Sequence, residues 1–201
     1  MKLNLLEKLL VTNPVRDYFL HTREAPRLFN TLPKISNGRY LELGCGNGTG
    51  ALTALCHLKP GILVSLDIDP DMLTKARKKS SNPPQWATDT DVSRLHFVLS
   101  DSGHLPFPDQ SFDAGFHFFL LDHLPDWRHV IVEIHRVLKN GGVYIFEDYL
   151  IPDSVILLNN VFGHVPIKRD ELIQAFSDTG FIFDDLKYST SNRHCFMRLR
   201  K

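Results

Sequence analysis

Gly44, Gly46, Gly48 and Gly50 occupy alternate positions after Glu42 in the run LELGCGNGTG. Glycines at this spacing let a backbone come close to a ligand. Two ligand chemistries compete for such a loop. One is a dinucleotide whose pyrophosphate rests on a helix N-terminus; the other is a nucleoside cofactor with no phosphate. Asp67 stands 19 residues past Gly48, at the end of the next apolar run, where a carboxylate can accept both hydroxyls of a ribose. That residue suits either ligand. The dinucleotide fingerprint G-x-G-x-x-G would need its third glycine at position 49, which is Thr49. A carboxylate at the mouth of the loop, moreover, repels a pyrophosphate but suits the ammonium of an amino-acid-like ligand. Glu42 and the glycine spacing therefore favour the second chemistry.

These residues need a scaffold, and 201 residues are enough for one domain with a full core. Residues 1–37 read as helical, with Leu3, Leu6, Leu9 and Leu10 on one face of an amphipathic helix instead of a signal peptide. Asn13-Pro14 marks a break, and Pro26 and Pro33 punctuate the stretch up to Asn37. From Arg39 the pattern becomes strand, glycine loop, helix: RYLEL, then ALTALCHL. GILVSLDI is a second strand, and Asp69-Pro70 supplies an N-cap and first-turn proline for the next helix. RLHFVLSD, SFDAGFHFF and VYIFEDY read as strands three to five. The helix DWRHVIVEIHRVLK is expected to stop at Asn140-Gly141-Gly142. FIFDDLKY, STSNR and HCFMRLR close the chain as a hairpin after the helix RDELIQAFSDTG. The expected fold is α/β, a doubly wound, mostly parallel sheet with a C-terminal antiparallel hairpin and an N-terminal helical extension. Ligands of such sheets lie at the carboxyl ends of the strands where the order reverses, here after strands one and four.

Composition narrows the partners. Lys plus Arg and Asp plus Glu are 23 each, so the formal net charge is zero and no nucleic-acid partner is expected. Cys45, Cys56 and Cys195 form no C-x-x-C pair, which suits a reducing cytoplasm. No apolar run approaches the ~20 residues needed to span a bilayer. Among ten histidines there is no H-E-x-x-H, and His129 with Glu133 lacks a third ligand, so no metal is expected. NPPQW, from Asn82 to Trp86, reads as a surface turn.

With those motifs in hand, the chain resembles class I S-adenosylmethionine-dependent methyltransferases. Glu42-x-Gly44-x-Gly46-x-Gly48 looks like that family's first motif, and SLDIDPDML is similar to its second-strand segment. LSDSGHLPFPDQSFDAGF and LLDHLPDWRHVIVEIHRVLKNGG resemble its third segment and the approach to its fifth strand. The likeness runs from about Arg39 to Glu147 and matches the broad type 11 small-molecule branch. It implies a seven-stranded Rossmann-like domain over residues 38–201, with 1–37 as a helical extension or lid. It implies S-adenosylmethionine as cofactor, held by Glu42, Gly44, Cys45, Gly46 and Gly48. Asp67, Ile68 and Met72 would surround the ribose. Asp101 would bond the adenine amino group, Ser102 would offer its backbone N–H, and His117 and Phe118 would end the fourth strand at the cofactor. Members of this branch often carry two histidines before Leu-Pro; here the pair is Asp122-His123. His123 and Glu147 are the catalytic candidates. The activity implied is methyl transfer to a small-molecule acceptor by in-line displacement, with the apolar VILLNNVF segment favouring a partly apolar acceptor. A nicotinamide-dependent oxidoreductase and a non-catalytic cofactor-binding module are the rival readings.

Overall fold

Apolar residues at successive positions leave RYLEL and ILVSLD needing cover on both faces, and that requirement sets the architecture. In the computed structural model, which describes residues 8, 12–33, 35–150, 164–188 and 194–201, these runs are the buried strands β1 (Arg39–Leu43) and β2 (Ile62–Asp67). β1 pairs in parallel with β2 on one side and with β4 (Phe112–Phe118) on the other. β3 (Leu95–Leu99) lies outside β2, and β5 (Leu138–Tyr149) outside β4. β7 (His194–Arg200) inserts antiparallel between β5 and β6 (Ile182–Tyr188). The order β3-β2-β1-β4-β5-β7-β6 is the seven-stranded doubly wound sheet expected from the sequence. It reverses between β1 and β4, opening a crevice at their carboxyl ends.

The two-residue period of a strand sorts side chains between two helical layers. Leu41, Leu43, Tyr144 and Phe146 pack with Trp127, Ile134 and Phe176 of α5 (Trp127–Val137) and α6 (Arg169–Thr179). Tyr40, Phe116 and Ile145 face the other way. They pack with Phe29 of α2 (Ala25–Phe29) and with Ala51 and Leu52 of α3 (Thr49–Leu58). α4 (Pro70–Ser81) follows β2 and is N-capped by Asp69, as its Asp-Pro start implies.

Several local expectations change. Asn13-Pro14 starts a helix instead of breaking one: Asn13 Oδ1 accepts from the Arg16 N–H, and Pro14 opens α1 (Pro14–Phe19). A wide π turn, Leu20–Glu24, joins α1 to α2, and Pro26 sits in the first turn of α2, where a missing N–H costs little. The helix expected to reach Asn140 ends at Val137, because Leu138 already pairs with Phe112 of β4. Gly141, at φ +76°, then turns the chain within β5, not at a helix end. Its N–H donates to Lys201 O, and the Lys201 N–H donates to Gly142 O. NPPQW forms a surface turn, with Trp86 stacked on His21 at 4.4 Å. The leucine face at 3, 6, 9 and 10, the VILLNNVF segment and the STSNR loop fall outside the described residues.

The two faces of α5 supply a test of this layering. Ile134 is fully buried under the sheet whereas Val132 is half exposed. Ile134→Ala should cost about 2–5 kcal/mol of unfolding free energy. Val132→Ala should change it by no more than about 0.5 kcal/mol. Urea denaturation of both variants checks this, and equal losses would contradict the burial.

Candidate active site

β1 ends at Leu43, and the chain turns through Gly44 to Gly48 into α3. Glu42 shares the α3 face with Tyr40 and is buried, its Oε2 accepting from Ser65 Oγ at 2.6 Å. A side chain at position 50 would collide with Glu42 Oε1, so Gly50 leaves room for this carboxylate. Burial pushes the Glu42 carboxyl up to about 8, against the opposing Ser65 hydrogen bond. Gly46, at φ +52°, has open space where a Cβ would stand, and its N–H donates to Asp67 Oδ2 at 2.8 Å. Asp67 Oδ1 accepts from the Asp69 N–H at 2.9 Å, so Asp67 ties the glycine turn to the loop after β2. Its carboxyl is raised by burial and lowered by these backbone donors.

The crevice at the strand ends is a cavity of about 360 Å³. Of the residues singled out in the sequence, Glu42, Gly44, Cys45, Gly46, Asp67, Ile68, Asp101, Ser102, Phe118 and His123 stand on its wall. Asp101 is exposed there, with Oδ1 accepting from the Gly103 N–H, and Ser102 is buried beside it.

Four of the named residues are elsewhere. Gly48, at φ +85°, caps α3, and a Cβ on it would stand 2.9 Å from Ala76 Cβ, so it serves helix packing. Met72 is buried in α4 away from the cavity wall. His117 follows Phe116 on the opposite face of β4, a consequence of strand alternation. It is fully buried against α5's side of the sheet, bonded to the Tyr144 hydroxyl at 2.6 Å and to Asp148 Oδ2 at 3.0 Å. Burial raises the Asp148 carboxyl, and the His117 hydrogen bond opposes that rise. Glu147 is also off the wall: Arg27 of α2 covers it, with Nη2 donating to Oε1 at 2.6 Å.

Most of the other wall residues carried no signal in the sequence. Asp17 of α1 accepts from Asn47 Nδ2 and Thr49 Oγ1 and pairs with Lys79 at 2.7 Å, docking the N-terminal helix on the glycine turn. Arg16 lies over the Phe119 ring at 4.8 Å and pairs with Glu24. Phe119 adopts φ +52°, a left-handed conformation costing about 1–3 kcal/mol for a non-glycine residue. Tyr149 packs on Phe119 at 4.6 Å, and Leu20, Leu120, Leu124 and His164 complete that end. Phe119 and Tyr149 were within reach of sequence reasoning, since they end the SFDAGFHFF and VYIFEDY strands.

A sheet in this order, with an acidic glycine-rich turn after its first strand, is the architecture of S-adenosylmethionine-dependent methyltransferases. The chain belongs to the methyltransferase domain family, whose model matches residues 41–146, and S-adenosylmethionine is that family's cofactor. It is 35% identical over 136 residues to the 27-O-demethylrifamycin SV methyltransferase of Amycolatopsis mediterranei (strain S699), covering 66% of this chain and 46% of that protein. It is 30% identical over 123 residues to a fatty-acid O-methyltransferase of Mycolicibacterium smegmatis (strain ATCC 700084 / mc(2)155), covering 59% and 41%. The chain thus spans about half the length of the curated relatives it matches. In structure it is similar to the methyltransferase solved with the Haloferax volcanii Trm112 methyltransferase activator: TM-score 0.79, 19% identity, covering 96% of this chain and 97% of that one. This last likeness concerns the fold alone. Among the described residues no helix is long and apolar enough to cross a membrane.

The buried Glu42 predicts a pH dependence. Its carboxyl rises from an ordinary 4.5 to about 8 on folding. Its contribution to stability is therefore complete below about 4.5 and is lost as pH rises through about 8. Cofactor-free protein should lose melting temperature by several degrees across that window. Glu42→Gln, which stays neutral, should lose visibly less. Parallel melting curves for the two proteins would refute the assignment.

Proposed function

We propose that this chain transfers a methyl group from S-adenosylmethionine to a small, partly apolar acceptor. One observation carries the reading: a single cavity runs from the glycine turn to an end walled by Leu20, Phe119, Leu124 and Tyr149. The Amycolatopsis and Mycolicibacterium relatives are named for acceptors with large apolar parts, a rifamycin and a fatty acid, which supports an acceptor of that character.

The residues fit the cofactor. Space stands open in front of Gly46, and Asp67 and Asp101 present carboxylates on the wall. When bound, S-adenosylmethionine supplies a methyl group on a sulfonium, whose departure leaves a neutral thioether. Asp67 accepts the ribose hydroxyls; each of its oxygens already accepts one backbone N–H and keeps a lone pair for another donor. Asp101 accepts from the adenine amino group, and Ser102 offers its backbone N–H. Glu42, whose buried carboxyl is costly to ionise alone, is matched by the ammonium of the amino-acid arm. The apolar end aligns the acceptor, and such positioning supplies roughly 7–11 kcal/mol of barrier lowering when the reacting atoms are held in line.

Three ligand measurements test the residue roles. Asp67→Ala removes two charge-assisted hydrogen bonds worth about 1.5–3 kcal/mol each, so affinity for S-adenosylhomocysteine should fall by about tenfold or more. Glu42→Gln should weaken S-adenosylhomocysteine yet leave 5′-methylthioadenosine, which lacks the amino-acid arm, nearly unchanged. Equal losses for both ligands would mean that Glu42 holds the turn and not the ligand.

The acceptor class is tested separately. Methyl-labelled cofactor, the protein and a cell extract should place label in a solvent-extractable small molecule, identified by mass spectrometry. Label confined to protein or nucleic acid would overturn the small-acceptor reading.

A further inference from the structure

A cluster of metal-ligating side chains stands at the cavity's apolar end. Asp122 and His123 belong to the short turn Leu121–His123 after β4, and His164 comes from the segment before α6. The backbone brings them together, with the Val165 N–H donating to Asp122 O at 2.6 Å. One ligating atom from each residue lies within 4.8 Å of the others. Asp122 is fully buried, and its Oδ2 is 2.6 Å from His164 Nδ1. Its Oδ1 has no hydrogen-bond partner among the described residues and stands 3.9 Å from His123 Nε2. His123 Nδ1 is likewise buried without a partner among them.

One imidazole N–H satisfies one carboxylate oxygen and leaves the other buried without a donor, a costly state for an acidic group. The buried Asp148 carboxylate lies near enough to feel the charge of Asp122, so two acidic groups share this buried corner. A cation meets both needs, using the open oxygen and replacing the proton between Asp122 and His164. We propose that Asp122, His123 and His164 bind a divalent transition-metal cation at the acceptor end of the cavity.

Two imidazoles and a carboxylate suit Zn²⁺, Mn²⁺, Fe²⁺ or Co²⁺, and three protein ligands leave coordination positions free. Both histidines line the cavity, so an acceptor oxygen there can become a further ligand. The cation then lowers that hydroxyl's pKa. The proton passes to solvent, the freed oxygen pair forms the bond to the methyl carbon, and the carbon–sulfur pair returns to sulfur. This catalytic role rests on the methyl-transfer reading; binding of the cation does not.

Tag-free full-length protein, stripped with a chelator, is titrated with Co²⁺ by visible absorption and with Zn²⁺ by calorimetry. Saturable binding of one ion per chain is expected, with Co²⁺ bands of imidazole and carboxylate ligation. Asp122→Asn and His164→Gln should each weaken it by roughly tenfold or more. S-Adenosylhomocysteine affinity should stay unchanged, which reports an intact fold; if the Asp122 variant does not fold, His164→Gln decides. Absence of saturable binding, or binding undiminished in the folded variants, overturns the site and leaves an ion-free Asp122–His164 hydrogen-bonded pair. Protein that binds Co²⁺ through these residues but not S-adenosylhomocysteine keeps the metal site and loses the transferase reading.

Discussion

Burying the carboxylate of Glu42 beneath the start of α3 is the constraint around which the ligand side of this protein is arranged. A carboxylate taken out of water is stable only when neutral or matched by donors and positive charge. Ser65 supplies one donor, and Gly50 supplies the space, because a side chain there would occupy the position of Oε1. The alternate glycines of the turn therefore answer different demands. Gly46 leaves space in front of the backbone, Gly48 lets α3 approach Ala76 of α4, and Gly50 accommodates the acid. A motif that looks uniform in sequence is a set of separate steric solutions. The free energy left unsatisfied at Glu42 in the cofactor-free protein is available to any ligand that brings a cation to it.

Strand parity divides the polar chemistry at the sheet's carboxyl edge into two compartments. Glu42, Phe118 and Tyr149 stand on the cavity wall, whereas His117 and Asp148 lie beneath the sheet with Tyr144. The buried trio is not idle. Asp148 Oδ2 also accepts from the Leu121 N–H at 2.8 Å, and Oδ1 from the Tyr149 N–H at 2.9 Å. Both donors belong to segments that shape the cavity. A hydrogen-bonded network on one face of the sheet thereby fixes the backbone from which side chains on the other face project.

The sheet order and the place of the glycine turn and Asp67 on the cavity wall were legible because they sit at strand ends whose positions the hydrophobic pattern sets, whereas Asp101 and Ser102 reached that wall through the family resemblance. His117 and Phe118 were read together although neighbours on a strand point apart; the alternation of Phe116 and Phe118 was the signal that separates them. Glu147 has the right parity but is covered by Arg27, some 120 residues earlier in the chain. No local pattern reports such a partner. The same holds for Asp17 against Asn47, and for His164 against Asp122, where the contact spans 42 positions. Residues gathered by tertiary packing alone left no spacing to read.

The docking of α1 links the two ends of the cavity. Asp17 bonds the glycine turn and the start of α3 through Asn47 and Thr49, and its neighbour Arg16 covers Phe119 at the opposite end. Adjacent residues of one short helix thus touch the glycine turn and the Phe119 ring, both of which line the cavity. Lys79 completes the attachment by pairing with Asp17 and donating to Thr49 Oγ1. Movement of the turn toward a ligand must either break these bonds or carry α1, and Arg16 with it, over the strained Phe119. Asp17 and Arg16 thereby tie the glycine turn to the apolar end of the cavity through one helix, beside a residue kept in a costly conformation.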